Sequence, residues 1–99
     1  MKEFMKVLIA ESNETLGKLI QFKLEDSGLE TTMVTDGKTA LNKLNESPFD
    51  LVITDILLPL YTGLELIQII NKRQSSNKPK IIILTQIHSE NTVAKAFEL

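Results

Sequence analysis

The stretch Leu51-Val52-Ile53-Thr54-Asp55-Ile56-Leu57-Leu58-Pro59 decides the fold. Its opening apolar residues do not alternate with polar ones, and they run straight into a carboxylate. A second apolar run follows and stops at a proline. A run of this kind reads as a strand buried on both faces, as in a parallel sheet. Asp55 then lies at the strand's carboxyl end, where open parallel α/β sheets bind their ligands. A carboxylate in that place is either a strand-to-helix cap or a working group, and the stretch alone leaves both open.

Upstream, Val7-Leu8-Ile9-Ala10 is a second buried-strand candidate that runs into Glu11-Ser12-Asn13-Glu14. Ser12 or Asn13 suits a helix N-cap, and Glu14 suits the positive end of a helix. The expected helix runs to about Asp26 with Leu16, Leu19, Ile20, Lys23 and Leu24 on one stripe, and Gly28 can supply its left-handed cap. Glu30 to Thr35 is strand-like but half polar, which suits a sheet edge. Asp36-Gly37 reads as a turn and nothing more. A short helix with Ala40, Leu41 and Leu44 inward leads back to the opening stretch.

Downstream, Thr62-Gly63-Leu64-Glu65 is a capping box. Its helix carries Leu64, Leu66, Ile67 and Ile70 and ends in Asn71-Lys72-Arg73. After a polar loop from Gln74 to Pro79, Lys80 to Thr85 forms a fourth strand, and Ser89 opens a last helix with Val93, Ala96 and Phe97 along one side. Strict strand–helix alternation implies an α/β fold: a parallel sheet with helices on both faces and right-handed crossovers. Ile81 to Leu84 is apolar on both alternating faces, like a central strand, so another strand or another molecule is expected beside it. The expectation is a domain over residues 1–99 truncated after its fourth helix, able to pair with a second copy through the exposed fourth strand and the uncovered sheet face.

The 99 residues suffice for one smallish domain, and 42% hydrophobic with 24% charged residues is ordinary for a globular protein. A net charge of −2 gives no electrostatic case for nucleic acid or an anionic membrane. There is no cysteine, hence no disulfide, thiolate metal site or cysteine nucleophile, and the expected location is cytoplasmic. No apolar run approaches the ~18 residues of a membrane span.

Three strand tips line up: Glu11, Asp55 and Thr85. With Val7 to Glu11, Phe49 to Asp55, Leu58-Pro59, Gly63 to Leu66 and Ile81 to Thr85, the chain resembles the receiver domains of bacterial response regulators, from about Lys6 onward. The Asp-x-x-x-Pro-x-x-x-Gly arrangement from Asp55 to Gly63 is the most specific part. The resemblance implies a flavodoxin-like, doubly wound sheet, here a (βα)4 piece of a (βα)5 receiver with order 2-1-3-4 and strand five missing. It implies that Asp55 accepts a phosphoryl group from a histidine kinase or phosphotransfer protein, in a self-catalysed transfer with slower hydrolysis. It also implies Mg²⁺ held by Asp55, the acids after the first strand and the Leu57 backbone carbonyl, and a Thr85 hydroxyl that bonds the phosphoryl oxygens as a switch. The output domain stays unreadable.

Two departures matter. The family's pair of acids after the first strand is here Glu11 and Ser12, so the metal site has lost a charge. Ser12 fits a helix cap better than a metal ligand. The family's lysine after a fifth strand, and the fifth helix, are not in these residues. A degenerate receiver, acting as an interaction or dimerisation module without phosphorylation, is therefore the alternative. A flavodoxin-like nucleotide binder is disfavoured because Glu11 to Glu14 holds no glycine for a phosphate cradle. His88 reads as a solvated loop residue. Leu57 to Tyr61 is either a docking patch or a packed loop.

Overall fold

The computed structural model describes residues 4–73 and 78–84. Strand β1 (Lys6–Ala10), helix α1 (Glu14–Asp26), strand β2 (Glu30–Val34), helix α2 (Gly37–Glu46), strand β3 (Leu51–Asp55), helix α3 (Gly63–Asn71) and strand β4 (Lys80–Leu84) follow in that order. The strands form one parallel sheet in the order β2-β1-β3-β4. This is the flavodoxin-like order expected from the sequence. The last helix, Thr85 and His88 lie outside the described residues, as do residues 74–77.

Strand alternation sorts the core into two layers. Leu8, Ala10 and Val52 face α2 and α3, packing with Ala40, Leu44, Leu66 and Ile70. Val7, Ile9 and Ile53 face the other way, against Ile20 and Leu24 of α1. Strands β1 and β3 are thus covered from both sides, with no alternation of polar residues along them. Asp50 ties the strand beginnings together: its carboxylate accepts from the Lys6 N–H at 2.7 Å, and its carbonyl accepts from the Lys80 N–H at 3.0 Å.

Helix ends follow their local chemistry. Asn13, not Ser12, caps α1, accepting from the Leu16 N–H at 3.1 Å. At the other end Gly28 takes φ +88, its N–H donates to Glu25 O, and the Leu29 N–H donates to Leu24 O. This is the paired closure of a Schellman motif. Thr62 and Glu65 form the expected capping box of α3.

Two expectations are corrected. On α1 the inward line is Gly17, Ile20 and Leu24; Leu19 is 57% exposed and Lys23 is also outside. Gly17 faces the sheet closely enough that a Cβ there would sit 2.7 Å from Met33 Sδ. Second, Asp36-Gly37 is more than a turn. Asp36 is the N-cap of α2, accepting from the Thr39 N–H at 2.7 Å and the Thr39 hydroxyl at 2.9 Å. As expected of an apolar strand with no neighbour on one side, β4 has β3 as its one partner among the described residues, and Ile82 is 48% exposed.

Candidate functional site

The β1–β3 pairing brings two carboxylates to one edge of the sheet. Ala10 pairs with Thr54, and the next residues along are Glu11 and Asp55. Both are buried, at 0% and 5% exposure. A carboxylate is rarely buried without partners. Glu11 is anchored by its own N–H, which donates to Val34 O at 3.0 Å, and its Oε2 accepts from the Asn13 N–H at 2.8 Å. The side chain therefore reaches the amino end of α1, where the helix dipole favours negative charge. Ser12, between Glu11 and the cap, is exposed.

Asp55 closes β3. Its Oδ1 accepts from the Leu57 N–H at 3.3 Å, and its carbonyl accepts from the Thr54 hydroxyl at 2.9 Å. The chain then turns back on itself. Ile56 and Leu58 are buried, while Leu57 and Leu60 are 64% and 71% exposed. Of the Leu57 to Tyr61 run, Leu58 alone is packed and the other four residues are exposed. The Gly63 N–H returns to Ile56 O at 2.9 Å, and a Cβ on Gly63 would overlap the Asp55 carbonyl oxygen. That close approach is the physical reason for a glycine eight residues after the aspartate. Leu60, at the crest, has φ 72, the left-handed region rarely adopted by non-glycine residues.

Of the expected site residues, the structure brings Glu11, Asp55 and Leu57 together at the carboxyl ends of β1 and β3. Ser12 follows Glu11 in sequence and is exposed. Thr85 lies outside the described residues; Leu84, the residue before it, is paired with Asp55. Among the described residues no three His, Cys, Asp or Glu side chains gather as a metal cluster. Two carboxylates with a backbone carbonyl still fit Mg²⁺, which commonly takes one or two carboxylates and keeps several waters.

Sequence reasoning missed Asn13 as the partner of Glu11 and missed the seat that Gly37 makes for the loop. The Gly37 N–H donates to Pro59 O at 2.9 Å. The signal available in advance was a glycine at the start of a helix, a position that favours no glycine on propensity grounds.

Residues 7–99 match the sequence profile of the response regulator receiver domain. The chain is 34% identical over 89 residues to the response regulator ArlR of Staphylococcus saprophyticus, covering 90% of this chain and 40% of that protein. It is 42% identical over 80 residues to an uncharacterized transcriptional regulatory protein, YrkP, of Bacillus subtilis, covering 81% of this chain and 33% of that protein. The chain thus spans well under half the length of these curated relatives. The solved receiver domain of the Francisella response regulator 1452 superposes with a TM-score of 0.81 at 32% identity, covering 95% of this chain and 76% of that one. No described helix is long and apolar enough to cross a membrane. With a matching profile over nearly its whole length and the sheet order to go with it, the chain belongs to the response regulator receiver family of two-component signalling.

Proposed function

We propose that Asp55 is the phosphoacceptor of this receiver domain, taking a phosphoryl group from a phosphohistidine on a histidine kinase or phosphotransfer protein. The observation that carries this reading is the burial of Asp55 beside Glu11 at the carboxyl ends of adjacent parallel strands. An Asp55 carboxylate oxygen attacks phosphorus in line with the phosphorus–nitrogen bond. The new oxygen–phosphorus bond forms as the old bond breaks, its electron pair leaves with the imidazole, and the imidazole takes a proton from solvent. The product is an acyl phosphate. Water attacking the same phosphorus later releases phosphate and regenerates the carboxylate.

Glu11, Asp55 and the Leu57 carbonyl are the groups that would hold Mg²⁺, with Ser12 able to offer only a neutral oxygen in place of an acid. The cation, when bound, neutralises charge on the two carboxylates and on the transferring oxygens. The Leu57 N–H keeps Asp55 Oδ1 in place before transfer. In this reading the Thr85 hydroxyl bonds a phosphoryl oxygen and biases a two-state loop. The surface altered in this way then acts on an output domain or partner protein in the cytoplasm.

The test is incubation of the full chain with phosphoramidate and Mg²⁺, followed by intact mass. A phosphoryl adduct on wild type, absent from Asp55→Asn, upholds the reading. No adduct on wild type counts against it.

One observation favours a second reading, a degenerate receiver that binds partners without phosphorylation: Ser12 is exposed and uncharged where the family carries an acid. Absence of saturable Mg²⁺ binding by wild type would favour it. The 48% exposure of Ile82 on β4 supports self-association through that strand in either reading. Sedimentation of wild type against Ile82→Lys tests it: a dimer lost in the variant is the expected result, and a wild-type monomer at high concentration contradicts it.

A further inference from the structure

The segment between Asp55 and Gly63 folds over the amino end of α2 and meets that helix at Gly37. The Gly37 N–H donates to Pro59 O at 2.9 Å. A Cβ on Gly37 would overlap the Tyr61 carbonyl oxygen and lie 2.6 Å from Tyr61 Cβ. The obstruction is chiefly backbone, so no change of rotamer makes room for a larger residue.

Neither side of this contact can withdraw easily. Helix α2 is fixed by the two Asp36–Thr39 hydrogen bonds and by burial of Ala40 and Leu44 in the core. The loop is fixed by buried Ile56 and Leu58, and by Gly63 lying against the Asp55 carbonyl. Between these anchors Leu60 is held at φ 72. A non-glycine residue keeps that conformation only where its surroundings impose it. A displaced Tyr61 must therefore pass its displacement along a short, doubly anchored loop whose other end is Asp55.

We propose that Gly37 is a positioning residue for the Asp55 loop: lacking a side chain, it seats Pro59 to Tyr61 on α2 and so fixes the Leu57 backbone that holds the Asp55 carboxylate. Gly37 acts through the loop and touches neither phosphoryl group nor metal. The activity part of this inference rests on Asp55 being the phosphoacceptor; the structural part does not.

The experiment compares Gly37→Ala with Gly17→Ala in the full chain. Gly17 is the matched control because the three atoms nearest its added Cβ all belong to the flexible Met33 side chain, on the opposite face of the sheet. The Asp55 and Leu57 amide resonances are expected to shift in Gly37→Ala and to stay in place in Gly17→Ala. Acyl-phosphate formation at saturating phosphoramidate is expected to fall about 10- to 100-fold in Gly37→Ala, since displacements near 1 Å can cost about 100-fold. Gly17→Ala is expected to stay within about twofold of wild type. Unmoved Asp55 and Leu57 amides in a folded Gly37→Ala protein overturn the proposal. If wild type takes up no phosphate, the phosphoacceptor reading fails on its own and the amide shifts alone decide the role of Gly37. If Gly37→Ala does not fold, amide hydrogen exchange on wild type decides. Gly37 protected as well as Gly63 upholds the seat, and Gly37 exchanging about 100-fold faster than Gly63 overturns it.

Discussion

Gly63→Ala tests whether the loop after Asp55 is built as described. The added Cβ would overlap the Asp55 carbonyl oxygen and stand 2.9 Å from both the Asp55 carbonyl carbon and Ile56 Cα. All three are backbone atoms of the strand end, so the strand or the helix start must shift. Alanine gains at most about 1 kcal/mol over glycine in helix propensity. Against this stand an overpacking cost of about 1–3 kcal/mol and the strained Gly63–Ile56 hydrogen bond, worth about 1 kcal/mol. The net expectation is a loss of about 1–3 kcal/mol, which moves a urea midpoint down by about 1 M for a domain of this size. Gly17→Ala, measured beside it, meets the flexible Met33 side chain rather than backbone at its nearest atoms and should move the midpoint far less. Equal midpoints for wild type and Gly63→Ala would refute the close-approach explanation of this glycine.

Three further outcomes follow from other parts of the molecule. Leu66→Ala, at a fully buried position of α3, should cost about 2–5 kcal/mol by chemical denaturation. Ser12→Asp restores a carboxylate next to Glu11 and should raise Mg²⁺ affinity about tenfold or more by calorimetric titration; an unchanged affinity would mean that residue 12 does not face the cation. The hydrogen bonds from the Thr39 N–H and hydroxyl hold the Asp36 carboxyl below its ordinary value of 3.8. A depressed carboxylate contributes stability that is present above the unfolded value and lost as pH falls through the folded one. The stability gap between wild type and Asp36→Ala should therefore be full at neutral pH and narrow below about pH 4, and a gap that widens in acid contradicts the assignment.

Much of the fold was legible because the relevant signals are local. Val7 to Ala10 and Leu51 to Ile53 are apolar without alternation, and both became strands buried on two faces. Thr62 and Glu65 announced their own capping box, and Gly28 its left-handed closure. Helix α1 was less legible. Its apolar residues span more than one face, and the inward position at Gly17, against Met33, carries no side chain that periodicity could register. The site shows the same division. Glu11 and Asp55 were readable as strand-end carboxylates. The Asn13 amide on Glu11 was hidden because Ser12 and Asn13 are equally good caps by composition. Gly37 read as a turn residue because its reason for being glycine is Tyr61, supplied by a distant loop. The left-handed Leu60 has no sequence signal, since leucine does not favour that region.

The most direct measurement is peptide-level localisation of the acyl phosphate formed by the full chain with phosphoramidate and Mg²⁺. The expected result is a single label on the peptide carrying Asp55, lost in Asp55→Asn and retained in Glu11→Gln at a lower rate. A label on another carboxylate, or one that persists in Asp55→Asn, would contradict the assignment of Asp55.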